Sequence, residues 1–452
     1  MIMKTIIRPE TEMKNSGIEW IGNIPQNWDA VQIRRVLLKD KNGIKIGPFG
    51  SALTNKTTGN DEYYVYSQAN LVSGDFSDTK NKVSQDVFNS LSNYEVVTGD
   101  VCLSMMGTIG KCRIIPHNIK KGIMDSHLIK IRLDNYNSRF FEYVYDKDNG
   151  GICFVQMQKE KKGSIMDGLN TSIVKGLYVT VPPLSEQQVI ADYLDETCSK
   201  IDEIIAEAKA SIDEYKELRL SVLTLATTKG LSDVAKYKDS GSRWVDKIPS
   251  GWSKMKIHYI IDMPVIDGPH VSPELVGEGV DYISANAIVD GKIDFNKRRG
   301  YITREYSNEC RKRYSPQKND ILVVKLGAST GKMAMVGDYT DFDIWVPIAV
   351  VRCKKEVNAK YVYYSMSSKY FKDEIRDGWT FGTQETLGVK TLESLHIFLP
   401  SRVEQDEIVR YLDEQLPRYD SLIAEKESLI NDLEAYKKSL IYEVVTGKRR
   451  VV

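Results

Sequence analysis

Two kinds of apolar pattern alternate along the chain. Short runs rich in Val, Ile and Tyr, with rough two-residue alternation, occupy residues 63–184 as YYVYSQANLV, VCLSMM, HLIKIRL and LYVTVPPL. A second set, VDYISANAIV, DILVVKL, IAVVRCKK and LHIFLP, occupies residues 280–400. Gly and Asn turns punctuate both sets, so they read as strands. Helices are predicted from Ser138 to Lys147 and from Ala359 to Ile375. Each region is expected to form an α+β domain with a curved sheet. The other pattern is a 4-3 spacing. It places Ile201, Ile205, Ala208, Ile212, Tyr215 and Val222 on one helical stripe, and Tyr419, Ile423, Lys426, Ile430, Leu433 and Leu440 on another. Each stripe is a coiled-coil seam. Arg219 and Lys437 fill one seam slot in each helix, where a basic residue fixes register at some cost in stability. Ser185, with Gln188 three residues on, is the expected N-cap of the first helix.

The two stripes are related by a fixed offset of 218 residues. The offset carries PPLSEQQVIADYLDE (from Pro182) onto PSRVEQDEIVRYLDE (from Pro400), and IIAEAKASI onto LIAEKESLI. SGIEWIGNIPQNW, from Ser16, matches SGSRWVDKIPSGW, from Ser240, at offset 224. GDVCLSMMGTIGK, from Gly99, matches NDILVVKLGASTGK, from Asn319, with one extra residue in the second copy. The chain is therefore a tandem duplication whose ends match best and whose middles diverge. The equivalent seams are expected to pair antiparallel, with pseudo-two-fold symmetry. The expected domains are 13–184 and 237–402, followed by helices over 185–230 and 403–448. About 28 helical residues, Ile201 to Thr228, span roughly 42 Å. That length is close to the ~34–36 Å turn of B-DNA.

Composition changes the picture little and charge distribution more. The chain has 452 residues, 42 % hydrophobic and 27 % charged, which is ordinary for a soluble protein of more than one domain. No run of about 18 uncharged apolar residues suggests a membrane span. The start turns polar after Ile7, too early for a signal-peptide core. Six scattered cysteines, none in Cys-x-x-Cys spacing, and five histidines argue against a zinc site and for reduced thiols in the cytoplasm. The net charge is zero, yet 185–230 and 404–448 each carry −5, so the rest carries +10. Acidic helices alternate with basic domains.

Enzyme motifs do not fit. GASTGK, Gly327 to Lys332, has three residues between its glycines where a phosphate loop has four, and Met333 stands where the Mg²⁺-binding hydroxyl belongs. Its simpler reading is a hairpin turn. No Asp/Asn-Pro-Pro-Tyr/Phe motif of an amino-methyltransferase is present, and Glu160-Lys161-Lys162 lacks the Pro-Asp of a nuclease signature.

The ordered set does resemble one family. The Trp…Ile-Pro…Trp segment, the Gly hairpin, the Pro-x-x-x-Glu-Gln junction and the long helix, all repeated in tandem, are similar to the specificity subunit of type I restriction–modification systems. The resemblance spans nearly the whole chain. It implies that each variable part is a target recognition domain for one half of a bipartite DNA site. The paired helices would set the unread gap and dock two modification subunits. It implies no cofactor on this chain: S-adenosylmethionine, ATP and Mg²⁺ would belong to partners, among them restriction subunits where the system has them. A subunit of a combined cleavage-and-methylation system, an ATP-dependent enzyme using the 327–332 turn, and a helical scaffold that does not touch DNA are the alternatives.

Candidate DNA-facing residues are basic or amide side chains in loops, because lysine holds phosphate and Gln or Asn reads adenine. In the first half they are Gln156, Lys159, Lys161 and Lys162 in QMQKEKKGS, Gln68 and Asn70 at a strand end, and Lys111 in the hairpin. The resemblance adds Lys45 and Ser51 from IKIGPFGS and His270 from DGPH. The second half offers Asn286, Lys325, Lys332, Arg376, Thr383 and Gln384. Helix pairing and partner contact are expected from Glu186, Gln187, Tyr193, Leu194, Ile201, Ile205 and Ile212. Their counterparts are Glu404, Gln405, Tyr411, Leu412, Ile423, Ile430 and Leu433.

Overall fold

The computed structural model describes residues 4–53, 62–160, 168–232, 236–378 and 386–452. Contacts divide the chain into two units, Met1–Ala208 with Ser428–Val452, and Lys209–Glu427. Each unit holds one α+β domain and a portion of both long helices. Among the described residues no helix is long and apolar enough to cross a membrane.

In the first unit the strand Tyr63–Tyr66 runs parallel to Gly122–Met124, with Lys82–Val83 and Glu95–Val96 on the outer edges. A second sheet is antiparallel throughout, in the order Cys112–Ile114, Val101–Ser104, Leu128–Ile131, Ile44–Ile46. The two central strands are buried along their whole length, which is why they read as apolar runs. The second unit repeats the plan. Val280–Ile283 is parallel to Phe342–Ile344, and Met333–Met335, Ile321–Val324, Ile348–Val351 and Ile266–Asp267 form the antiparallel sheet. The expected curved sheet is thus divided: each domain holds these two main sheets and further two-stranded pairs, among them Asp29–Gln32 with Tyr178–Val181 in the first and Ser253–Lys256 with His396–Leu399 in the second. Turn chemistry divides them. Only Tyr63–Tyr66 of YYVYSQANLV is strand, because Ser67 N donates to Asn70 Oδ1 at 3.0 Å and the chain turns into the helix Gln68–Ser73. The helix predicted over Ala359 to Ile375 is likewise two, Ala359–Ser367 and Lys369–Asp377, broken at Ser368, whose hydroxyl donates to Ser365 O.

The Gly hairpins form as predicted. Gly107 and Gly110 in one, and Gly327 and Gly331 in the other, have φ between 65° and 93°. The Asp at the second position of each motif is buried and held bidentately by an arginine. Arg132 Nε and Nη2 lie 2.6 and 3.1 Å from Asp100, and Arg352 lies 2.7 Å from Asp320 at both nitrogens. The sequence motif contained the Asp but not its partner.

The long helices are Leu184–Lys229 and Arg402–Val445. The first begins one residue before Ser185, and the Pro183 carbonyl accepts from Glu186 N and Gln187 N. Ser185 is therefore inside the first turn and not its cap. The serine cap occurs in the other copy, where Ser401 Oγ accepts from Glu404 N at 3.4 Å. In the first unit Ile201, Ile205 and Ala208 are buried, and Lys437 reaches Asp202 at 2.7 Å. In the second unit Ile212 is buried, and Arg219 reaches Asp420 at 2.7 Å. The residue numbers of the two pairs add to the same total, as antiparallel register requires. The 218 offset converts one pair into the other. Both seam cations thus have an acid on the opposite helix. Ile423, Ile430 and Leu433 are half-buried along the second stripe, while Leu194 and Leu412 enter the cores of their own units with Tyr193. Tyr411, equivalent to Tyr193, is 37 % exposed.

Glu186, Gln187, Glu404 and Gln405 fasten domain to helix instead of helix to helix. The buried Trp28 indole donates to Glu186 Oε2 at 2.9 Å, and Trp252 donates to Glu404 Oε1 at 3.0 Å. Gln187 Oε1 accepts from Asn137 N (2.8 Å) while its Nε2 donates to Pro182 O (2.8 Å). Gln405 does the same with Asn358 N (2.9 Å) and Pro400 O (3.0 Å). Both glutamines are buried. Replacing either with Ala strands one donor and one acceptor, each worth roughly 1–3 kcal/mol when buried. Urea denaturation is expected to show a lower midpoint for Gln187→Ala and for Gln405→Ala, of similar size.

Candidate nucleic-acid interface

In each domain the two parallel strands end on the same side, so the loops that follow them meet. In the first unit these are Ser67–Gln68 and Asp125–His127, joined by Gly47-Pro48-Phe49. Gly47 N donates to Leu128 O at 2.9 Å, and a Cβ there would lie 1.7 Å from Asp125 O. Only glycine permits this approach. The pinned loop presents Phe49 at 86 % exposure. Gln68 Nε2 donates to Met106 O (2.7 Å) and Thr108 Oγ1 (2.8 Å), tying the strand end to the Gly hairpin.

The second unit builds the same corner from other side chains. Gly268 abuts the Trp345 backbone so closely that a Cβ would be 2.4 Å from its carbonyl carbon. Beyond it, His270 is exposed and Val271 is 73 % exposed. Asn286, after the other parallel strand, is exposed. Asp267 receives Lys325 at 2.8 Å and Arg313 at 3.1 Å. Burial pushes its carboxyl upward, but the Lys325 hydrogen bond and nearby cations outweigh that and leave it below the usual carboxylate range.

Several expected DNA-facing residues have structural work instead. Asn70 is buried and spans Asp75 O (2.9 Å) and Asp78 O (2.8 Å). Gln156 is buried, with both amide atoms on the Tyr178 backbone at 2.7 and 2.8 Å. It belongs to the helix Ile152–Glu160, so its segment is not wholly a loop. Lys111 and Lys325 are buried in ion pairs with Asp148 and Asp267. Their ammonium groups are neutralised internally. Lys45 rests on the Tyr94 ring and donates to Asn93 O at 3.1 Å. Arg376 pairs with Asp373 at 3.3 Å on an outer helix. Lys332 is exposed in the hairpin. Lys161, Lys162, Thr383 and Gln384, and the side chains of Ser51 and Lys159, lie outside the described residues. Phe49 was missed by reasoning confined to polar residues; an aromatic set between Gly-Pro and Gly was its signal.

The 327–332 turn does not cradle phosphate. The amides of Thr330, Gly331 and Lys332 donate to Gly327 O, Val324 O and Ser329 O, and a strand follows instead of a helix. Among the described residues no group of His, Cys, Asp and Glu could hold a metal ion.

A duplicated domain of this kind, each copy locked to its own long helix and ending in a corner of exposed loops, is a two-part recognition protein. Its residues 42–214 and 249–435 match the type I restriction modification DNA specificity domain. The chain is 25 % identical over 329 residues to the type I restriction enzyme EcoBI specificity subunit of Escherichia coli, covering 71 % of this chain and 67 % of that protein. It is 23 % identical over 338 residues to the MjaVIII specificity subunit of Methanocaldococcus jannaschii, covering 74 % and 75 %. Its fold is similar, at a TM-score of 0.67 and 15 % identity, to a solved chain from work on complex assembly and conformational transition of the type I R-M system, covering 94 % of this chain and 99 % of that one. The chain belongs to the type I restriction–modification specificity family. It is the DNA specificity subunit of such a system, and is itself non-catalytic.

Gln156→Ala is expected to lower stability by about 1–3 kcal/mol, because Tyr178 N and O lose their partner in a buried setting. The DNA sequence preferred by the assembled complex is expected to stay the same. Chemical denaturation and a binding-site selection measure the two effects.

Proposed function

We propose that each α+β domain reads one half of a bipartite DNA site and that the helix pair sets the unread gap between the halves. The observation that supports this reading is the repeated junction. Each domain is fixed to its own helix by a Trp–Glu bond of 2.9 or 3.0 Å and by a buried glutamine, so a rigid reader is joined twice to a rigid spacer. The segments 13–184 and 237–402 serve as readers, and 185–230 and 403–448 as spacer. The outer faces of the helices dock two modification subunits, which hold S-adenosylmethionine and methylate adenine. Restriction subunits, with ATP and Mg²⁺, join where the system includes them. This chain holds no cofactor and works in the cytoplasm. Base readout falls to the corner loops and the hairpin, with Asn286 and Lys332 as exposed candidates. Gln68 offers only its carbonyl oxygen, its amide nitrogen being held by Met106 and Thr108, and His270 is exposed but lies 3.3 Å from Asp267.

Exchanging Ala30 to Thr180 for the corresponding segment of another family member is expected to change one half of the methylated sequence and leave the other intact. Sequencing methylated adenines in cells carrying each chain reads the result. A change in both halves, or in neither, overturns the two-reader assignment.

The spacer role has its own measurement. The antiparallel register pairs Ala208 with the position of Asn431. Seven-residue insertions after Ala208 and after Ile430 therefore preserve the seam and lengthen the spacer by about 10 Å. The unread gap is expected to grow by about three base pairs, at ~3.4 Å each, with both half-sites unchanged.

A further inference from the structure

We infer that Arg299 reads a guanine in the half-site of the second domain. The inference rests on the two-reader assignment and deepens it to one side chain. The first observation is how the guanidinium is held. It stacks on the Trp345 ring, with Cζ 3.4 Å from the ring centroid, and Nη2 donates to Ser272 Oγ at 3.3 Å. Stacking on an aromatic face fixes the plane of the fork without consuming its N–H groups.

The second observation is what it lacks. The domain from Tyr237 to Leu399 contains seven other arginines, and each pairs with a carboxylate: Arg243 with Asp377, Arg298 with Asp281, Arg304 and Arg311 with Asp341, Arg313 with Asp267, Arg352 with Asp320, Arg376 with Asp373. Arg299 has no carboxylate partner among the described residues. In a domain that neutralises every other guanidinium, this one is left with an open hydrogen-bonding edge.

The third observation is its place. Arg299 N donates to Tyr282 O at 2.9 Å, so the residue sits where the first parallel strand ends. Trp345 begins the loop after the second parallel strand, against Gly268. Ser272 continues the loop that exposes His270 and Val271. The arginine, its aromatic platform and its hydroxyl anchor thus come from three segments that meet only at the corner proposed to face DNA. A flat arginine with two free N–H groups matches the O6 and N7 acceptors of guanine in the major groove, the commonest specific contact of this kind. Holding the fork in place beforehand removes part of the ordering cost of that contact.

The test uses the full chain assembled with its modification subunits. Arg299→Lys keeps the charge and loses the fork; Arg299→Ala loses both. Sites methylated by each complex are sequenced, and binding to the wild-type site and to unrelated DNA is measured at two salt concentrations. Both variants are expected to relax one guanine position in one half-site, leave the other half-site unchanged, and weaken specific binding by about 10- to 100-fold. Two results overturn the inference: an unchanged half-site in both variants, or equal weakening on all sequences, which marks a phosphate contact. Failure of the two-reader assignment looks different, because the wild-type complex itself would then show no bipartite site tied to this chain.

Discussion

The structure depends on one buried hydrogen-bond network at the first turn of each long helix. An indole excluded from water must have an acceptor, and a carboxylate brought to it must find donors. Trp28 with Glu186, and Trp252 with Glu404, solve the two problems together. The neighbouring glutamine extends the solution. Its amide links a proline carbonyl before the helix to the backbone of Asn137 or Asn358. Those asparagines in turn cap the helices Ser138–Tyr145 and Ala359–Ser367. One chain of bonds therefore orients the last strand of the domain, an internal helix and the long helix. That explains why Glu-Gln recurs at an offset of 218 residues, and why its carboxylates are structural.

Because the frame is fixed by these bonds, the loops at the strand ends are free to differ. Gly47 and Gly268 hold the same tight approach in both domains. What they present differs: Phe49 in one copy and His270 in the other. Beneath the loops, Asp267 pairs with Lys325 in the second domain. The corresponding first-domain residues, Ile46 and Met105, are partly buried against the hydrophobic core. An ion pair in one copy and two apolar side chains in the other occupy equivalent positions in the same kind of sheet. Divergence is concentrated where side chains leave the frame.

Much of this was legible in the sequence because it is periodic or repeated. The seam at Ile201, Ile205 and Ile212, the duplicated junction, and the glycine turns at 107–110 and 327–331 are local patterns with fixed spacing. The places where the reading departs from the structure involve contacts between distant residues. Asp100 and Arg132 are 32 residues apart, and nothing at either position announces the clamp. Asn70 and Gln156 carry the amides that suit adenine, but the same amides suit a backbone. Burial chose the backbone, and burial is not a property of a residue type. Lys111 and Lys325 follow the same logic, since a lysine beside a glycine turn looks free until an aspartate from another segment meets it. Residue chemistry names the possible roles; topology decides which side chains still face outward.

The two junctions differ in how they are closed. In the second unit the chain runs from the end of the central helix at Lys229 directly to Tyr237 and on to Trp252. In the first unit the helix that ends at Val445 reaches its domain through no covalent link. The strand Arg449–Val451 pairs antiparallel with Thr5–Ile7, at the far end of the sequence. For a flexible chain, closing a loop of the whole length instead of one of about eight residues costs about 3–4 kcal/mol more. Compensating contacts lie at the same place. Arg8, next to the N-terminal strand, donates to Glu186 Oε1 at 2.6 Å and lies over the Trp28 ring at 5.9 Å. Gly447 packs so tightly on Pro25 that a Cβ would come within 2.4 Å of its ring. The second Glu404 oxygen has no such arginine among the described hydrogen bonds, and its junction has the peptide linkage instead. A tandem duplication has one fewer internal linker than it has junctions, and the strand pair with Arg8 supplies by non-covalent contact the connection that the chain itself supplies in the second unit.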